Sequence, residues 1–90
     1  MISVIWAKAA LSDLQNIRRY IADFNPHAAH TMALRILEAG DSLARFPYRG
    51  RAVPNTNLRE TTLAYPYIVR YRVERERVVI LRVRHGARLR

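Results

Sequence analysis

The sequence predicts an α+β fold, in which a helical hairpin packs on one face of a small, mainly antiparallel sheet in the order β-α-α-β-β-β. In the first half of the chain, apolar residues recur every three or four positions, as in amphipathic helices. In the last third, β-branched and aromatic residues alternate with arginines, as in strands with one buried face. The 90 residues suffice for one small domain, expected to span 1–90.

The first half is expected to contain one short strand and two helices. Residues 3–6 form the strand, and the apolar spacing over 7–23 predicts the first helix. Asn25 and Pro26 then end that helix and begin the next, with Asn25 as its N-cap and Pro26 in its first turn. The second helical pattern continues to Phe46 and ends before Pro47. Such a short joint implies antiparallel helices.

The second half is expected to contain a loop over 47–57, a modest strand over 58–63 and a final hairpin. The loop is marked by proline and glycine. The hairpin strands cover 66–73 and the run from 78 onward, and the charged residues 74–77 form the turn.

Alternation assigns the faces of this hairpin. The core-facing rows are predicted to be Tyr67, Val69, Tyr71 and Val73 in the first strand and Val79, Leu81, Val83 and His85 in the second. The other face then carries Ile68, Arg70, Arg72, Val78, Ile80, Arg82 and Arg84. Pairing Val73 with Val79 keeps these rows together and sets Tyr67 beside His85. It also requires an odd loop or a bulge near residues 75–77.

Composition points to an acidic partner in a reducing compartment. The chain has 16 basic and 7 acidic residues, for a formal charge of +9, and Lys8 is its only lysine. Arginine suits bidentate contact with carboxylate or phosphate. Without cysteine, the chain can form neither disulfides nor a thiolate metal site, and we expect no metal or cofactor. Residues 1–6 do not resemble a signal peptide, so a cytoplasmic location without membrane contact is expected.

Several short motifs resemble the toxins of the RelE/ParE superfamily of bacterial toxin–antitoxin modules, and together they cover nearly the whole chain. They are Trp6, Asp13-Leu14, Tyr20-Ile21-Ala22, Asn25-Pro26, Gly50-Arg51, Leu58-Arg59-Glu60, Pro66-Tyr67, Tyr71-Arg72-Val73, Ile80-Leu81-Arg82-Val83 and His85-Gly86-Ala87-Arg88. Their order and spacing carry the resemblance, and the closing motif is similar to the ParE side of the superfamily. The resemblance implies a small toxin held inactive by a cognate acidic antitoxin in a tight complex.

The resemblance implies two different targets on the same fold. ParE-like members poison DNA gyrase and stall replication, whereas RelE-like members cut mRNA in the ribosomal A site. We favour the gyrase inhibitor, which acts by binding, and keep the ribosome-dependent endonuclease as the alternative. A plain basic nucleic-acid-binding module is a third possibility, and it would show strongly salt-dependent affinity for bare DNA or RNA.

For the nuclease alternative, the candidate catalytic residues are His85, Arg70, Arg82 and Arg84, because metal-free RNA cleavage needs an acid–base group and cations around the phosphate. RelE-like nucleases often carry an arginine where this chain has Ile68, and some carry a tyrosine where it has Gly86. These departures count against the nuclease alternative. Because the predicted register places His85 on the core-facing row opposite Tyr67, we interpret it first as a structural histidine that bonds locally.

For the binding alternative, the predicted target or antitoxin interface combines arginines with aliphatic side chains, which an acidic amphipathic segment would pair and bury. It consists of Ile68, Arg70, Arg72, Val78, Ile80, Arg82, Arg84 and Arg88, with Arg90 as a further basic candidate.

Overall fold

The structure, a computed structural model, follows the predicted order with one additional short strand. It describes residues 2–88, with Arg88 described by its backbone alone. The helices are α1 at Lys8–Ala22 and α2 at Pro26–Asp41, followed by a 3₁₀ turn at Ser42–Ala44. The strands are β1 at Ser3–Trp6, β2 at Arg51–Ala52, β3 at Leu58–Thr61, β4 at Tyr67–Val73 and β5 at Arg77–His85, and a second 3₁₀ turn covers Gly86–Arg88.

The five strands of residues 2–88 form one sheet in the order β1-β5-β4-β3-β2. β1 runs parallel to β5, and the other neighbouring pairs are antiparallel. One hydrophobic core joins the two helices to one face of the sheet, through Ala10 and Ile36 on the helices and Val69, Tyr71 and Val83 on the strands. The predicted α+β class, with a helical hairpin on one face of a mainly antiparallel sheet, is confirmed.

Asn25 and Pro26 set the joint between the helices, as predicted. Asn25 Oδ1 accepts a hydrogen bond from the Ala28 N–H at 3.1 Å, and Pro26 fills a first-turn position where no N–H is needed. The apolar pattern of the sequence, which includes Phe24 and Phe46, continues past the C-terminal end of each helix, however. Phe24 lies beyond the end of α1 and is 75% exposed, and Phe46 lies beyond the end of α2 and is 55% exposed. Past a helix end, the 3.6-residue period no longer places a side chain on the buried stripe.

The predicted register of the final hairpin agrees with the structure over half the length of the hairpin. Tyr67 pairs with His85 and Arg70 with Arg82, as predicted. A bulge follows between Arg70 and Tyr71, so that Tyr71 pairs with Ile80 and Leu81 has no partner on β4. The strands then meet at Val73 and Val78, and the Glu74 N–H donates to the Arg77 carbonyl at 2.8 Å. The expected irregularity near residues 75–77 is therefore wrong: the bulge lies in mid-strand.

This bulge changes which face two predicted interface residues occupy. Val78 and Ile80 are fully buried in the core, and the prediction that they share the open arginine face is wrong. The predicted core position of Leu81 is also wrong, because Leu81 is the bulged residue. Parallel pairing with Val4 and Trp6 of β1 places Val78 and Ile80 toward the helices. Ile80 reaches Gly40 of α2, where an added Cβ would lie 2.6 Å from Ile80 Cδ1.

The segment predicted as a plain loop contains β2, which pairs with β3 through Arg51 and Glu60. Its beginning is fastened to the sheet by Tyr71, which is fully buried on β4. The Tyr71 hydroxyl accepts a hydrogen bond from the Gly50 N–H at 2.9 Å and donates one to the Pro47 carbonyl at 2.8 Å. The chain between α2 and β2 is thus held at a fixed place on the sheet edge.

No helix among residues 2–88 is both long and apolar enough to cross a bilayer.

Candidate functional site

The face of the sheet opposite the helices carries the arginines that the sequence predicts there. Arg70 and Arg72 alternate with the buried residues of β4. Both arginines, and Ile68 on the same face, are partly buried. Arg70 makes a bidentate contact to Glu60, with Nε and Nη2 at 2.9 and 2.6 Å from Oε2. Arg72 pairs with Glu74 in the same way, at 2.9 and 2.8 Å.

Two carboxylates neutralise most of the positive charge on this open face of the sheet. Glu60, 8% exposed, also lies 3.5 Å from Arg51, and Glu74 also accepts from Arg77 at 2.6 Å. The hydrogen bonds from Arg77 and then Arg72 hold the pKa of Glu74 below its ordinary value. The open face therefore has less free positive charge than its arginine content suggests, since each of these carboxylates serves two guanidiniums.

A cavity of about 660 Å³ lies where α1 meets the C-terminal end of β5. It is lined by Asp13, Asn16, Ile17, Tyr20, Tyr67, Arg82, Val83, Arg84, His85 and Ala87. β1 pairs only with the first part of β5, so α1 lies beside the remainder of that strand. The cavity thus brings three of the four nuclease candidates together, and leaves Arg70 with Glu60.

Asp13 organises one wall of this cavity. Its carboxylate accepts from Arg82 Nε at 2.8 Å, from Arg82 Nη2 at 3.1 Å and from the Val83 N–H at 2.9 Å. Burial by itself raises the pKa of Asp13, but these bonds, together with the charges of Arg82 and Arg84, outweigh burial and hold that pKa below its ordinary value. Asp13 is therefore ionised at neutral pH and forms an ion pair with Arg82.

Arg84 has no such partner in the part of the chain that the structure describes. Its Nε atom is buried and makes no hydrogen bond within residues 2–87, although its charge acts on Asp13. A buried N–H without an acceptor is costly, so an acceptor brought by another molecule would be favoured at this atom. Arg84 is the guanidinium of the cavity best placed to pair with a carboxylate or phosphate.

His85 is bound locally, as the structural interpretation predicts. Its Nδ1 accepts a hydrogen bond from the Ala87 N–H at 3.1 Å, and its ring meets Tyr67 edge-on with 5.4 Å between centroids. The ring still lines the cavity beside Arg82 and Arg84. The remaining predicted interface residue, Arg88, has its side chain outside the described residues, and Arg90 lies wholly outside them.

The chain also has an exposed group of aromatic and arginine side chains that the sequence analysis did not single out. We call Phe46, Tyr48, Arg49 and Arg59, with Arg35 of α2 beside them, the loop patch. Phe46 and Tyr48 are 55% and 66% exposed. The Arg49 guanidinium lies 5.0 Å from the Phe46 ring centroid, and that of Arg59 lies 5.1 Å from the Tyr48 centroid. The available signal was the run Phe46-Pro47-Tyr48-Arg49, in which two aromatic residues and an arginine surround one proline. The prediction of a loop over 47–57 made no use of it.

Residues 2–87 contain no group of three His, Asp or Glu side chains placed to hold a metal ion.

Comparison with known proteins identifies the family. Residues 4–90 match the family described as ParE toxin of the type II toxin–antitoxin system parDE. Toxin RelE2 of Caulobacter vibrioides is 51% identical over 89 residues, covering 99% of this chain and 100% of that protein. Toxin RelE3 of the same organism is 35% identical over 89 residues, covering 96% of each chain.

A solved structure agrees with these matches. A chain of the chromosomal ParDE toxin–antitoxin system of P. aeruginosa superposes with a TM-score of 0.80 at 27% identity, covering 94% of this chain and 96% of that one. With its helical hairpin on one face of a five-stranded sheet and a family match over almost its whole length, the chain belongs to the ParE toxin family of type II toxin–antitoxin systems.

Proposed function

We propose that this toxin inhibits DNA gyrase by binding it in the cytoplasm, and that a cognate acidic antitoxin holds it inactive. The match to the ParE toxin family over residues 4–90 carries the proposal, since gyrase is the target that the ParE-like resemblance implies. The likeness to a ParDE chain from P. aeruginosa supports it.

The contacts of the nuclease candidates favour binding over catalysis. Arg82 is held by Asp13, and Arg70 is held by Glu60 on another part of the sheet. His85 uses Nδ1 to accept from a backbone N–H. Catalysis of RNA cleavage needs cations free to meet a developing phosphate charge, and two of the three candidate arginines already have carboxylate partners.

The antitoxin surface that we propose is the predicted one without Val78 and Ile80. It includes Ile68, Arg70, Arg72, Arg82 and Arg84, and it continues into the cavity beside α1. Ile68 is partly exposed and lies beside Arg84, because the two residues are paired across β4 and β5. An acidic amphipathic segment would place a carboxylate at Arg84 Nε and cover the Ile68 side chain. The chain's charge of +9 favours an acidic partner at longer range.

Charge reversal tests this surface. Arg84→Glu should weaken the complex with the antitoxin encoded beside this chain by at least about tenfold in a calorimetric titration, because a carboxylate would meet a carboxylate. Arg75→Glu, in the exposed turn between β4 and β5, is the matched control and should have little effect. Equal losses for the two variants would show a general charge effect and exclude the proposed surface.

The target is tested by gyrase-dependent cleavage of supercoiled plasmid with the purified chain, freed of antitoxin. Linear DNA that forms only when gyrase is present is the expected result, and His85→Ala should retain it. Plasmid that stays supercoiled in the presence of gyrase and toxin would contradict the proposal.

One observation favours the alternative of a ribosome-dependent mRNA endonuclease. The cavity gathers His85, Arg82 and Arg84 with two tyrosines, a set that includes an acid–base group and cations. If the plasmid assay is negative, mRNA cleavage on ribosomes is the next measurement. Cleavage by the unmodified chain that His85→Ala abolishes would establish this alternative.

A further inference from the structure

The loop patch differs from the open sheet face in how its charge is balanced. The guanidiniums of Arg35, Arg49 and Arg59 have no carboxylate within ion-pair distance among residues 2–87. Arg59 Nη1 donates to the Gly50 and Tyr48 carbonyls at 2.6 and 3.3 Å, and Arg35 Nη2 donates to a carbonyl at 3.4 Å. Neutral carbonyl groups position Arg59 and Arg35, and the Phe46 ring contacts Arg49, so the positive charges of the three guanidiniums are not neutralised by these contacts.

The patch is continuous. Arg35 and Arg49 line the same shallow depression of about 290 Å³, and Arg49 lies over Phe46. Glu38 also lines this depression, but its carboxylate forms no ion pair with either arginine. Arg59 lies over Tyr48 and is bonded to the backbone on both sides of Arg49. Two exposed rings and three unneutralised cations therefore share one end of the molecule, fixed in place by the buried Tyr71 hydroxyl.

We propose that the loop patch binds single-stranded nucleic acid, with bases stacked on Phe46 and Tyr48 and phosphates paired with Arg35, Arg49 and Arg59. Aromatic rings accept any base face, and guanidiniums supply both phosphate contacts and cation–π support. An acidic peptide is less favoured, because a helix or strand would need an apolar groove, whereas here the rings project from a shallow surface. This inference goes beyond gyrase inhibition, and its test contains no gyrase.

The first test is fluorescence anisotropy of a labelled oligothymidine with the purified chain at low salt. The double variant Phe46→Ala/Tyr48→Ala should weaken binding by about tenfold or more, as expected for the loss of two stacking platforms. Phe24→Ala, which removes a ring of greater exposure at the helical joint, is the matched control and should bind as the unmodified chain does. All three rings are exposed, so circular dichroism should show an unchanged fold.

The charge contribution is tested by salt dependence. Arg49→Ala should reduce the slope of log affinity against log salt by about 0.7, the value for one phosphate contact on a single strand. Arg75→Ala, an exposed arginine of the β4–β5 turn, should leave the slope unchanged. A similar reduction in both variants would overturn the assignment to this patch.

Stacking itself can be observed with Tyr48→Trp. Bases that stack on the new indole should quench its fluorescence on adding oligothymidine, with the unmodified chain as the blank for Trp6. Three results would overturn the proposal: no binding at low salt, binding without quenching, or ring variants that keep oligonucleotide affinity and lose antitoxin affinity. The last result would assign the patch to a protein partner.

Discussion

Replacing Tyr71 by phenylalanine removes a hydroxyl that joins the chain after α2 to the middle of the sheet. Tyr71 is fully buried, and its hydroxyl bonds to the Gly50 N–H at 2.9 Å and the Pro47 carbonyl at 2.8 Å. The ring is unchanged in Tyr71→Phe, so packing is retained and only these two bonds are lost. The variant therefore isolates the contribution of the hydroxyl.

The cost follows from the groups left behind. Gly50 is buried, and an N–H deprived of its acceptor there costs about 1–3 kcal/mol, whereas the half-buried Pro47 carbonyl keeps access to water. We expect the free energy of unfolding to fall by about 2–3 kcal/mol. For a domain of this size, that loss lowers Tm by roughly 10–20 °C.

Urea unfolding followed by circular dichroism measures this loss. Tyr65→Phe is the matched control, because Tyr65 is 71% exposed and should change stability by less than about 0.5 kcal/mol. Equal stabilities for the two variants would refute the reasoning, since water would then have replaced the hydroxyl. Loss of the anchor should also weaken oligothymidine binding, because the same hydroxyl positions the loop patch.

The pH dependence gives a second readout of the same group. Burial raises the pKa of Tyr71 above its ordinary value of 10.0, against the lowering effects of the Gly50 N–H and of Arg59 and Arg49. Tyr71 therefore ionises first in the unfolded chain, so the contribution of this group to stability is constant below about pH 10 and is lost as pH rises above it. Tyr71→Phe should have a shallower alkaline decline than the unmodified chain.

Three further predictions concern other fixed points of the fold. Asp13→Asn should reduce the loss of stability in acid, because the pKa of Asp13 is lower in the folded state than in the unfolded state. The contribution of Asp13 to stability is therefore present above its unfolded pKa and is lost as the pH falls through its folded pKa. An unchanged acid unfolding profile would contradict this. Asn25→Ala should lower the free energy of unfolding by about 1 kcal/mol in urea, and a neutral result would mean that the cap adds nothing. Glu60→Gln should lower the free energy of unfolding by about 1–3 kcal/mol in the same measurement, because it weakens a nearly buried contact to Arg70. The variant should also bind heparin more tightly, because its open face is more basic. Unchanged heparin affinity would contradict our description of that face.

Local patterns were sufficient for most of the architecture. The helical spacing and the Asn25–Pro26 joint predict both helices, because a cap and a proline act within one turn of the chain. Alternation predicts that Val69 and Tyr71 face the core while Arg70 and Arg72 face outward, because side chains of a strand alternate by geometry alone.

The same reasoning failed where the pattern lost its period. Residues 78–81 are four consecutive apolar residues, which fit either face of a sheet equally well. Parallel pairing with β1, more than 70 positions away in the chain, together with the bulge at Leu81, decides that Val78 and Ile80 are buried. The interface predicted from alternation therefore included two core residues.

Composition determined that the chain is strongly basic, with a charge of +9, but it could not determine where that charge remains free. Glu60, Glu74 and Asp13 pair with Arg70, Arg72 and Arg82, three of the arginines predicted at the site. Arg84 and the arginines of the loop patch have no carboxylate partner among residues 2–87. Ion pairing depends on distances of a few ångströms between residues up to 69 positions apart, as for Asp13 and Arg82. Sequence alone determines most of the elements and the total charge. Only tertiary packing brings distant side chains close enough to decide which faces are buried and which cations are paired with carboxylates.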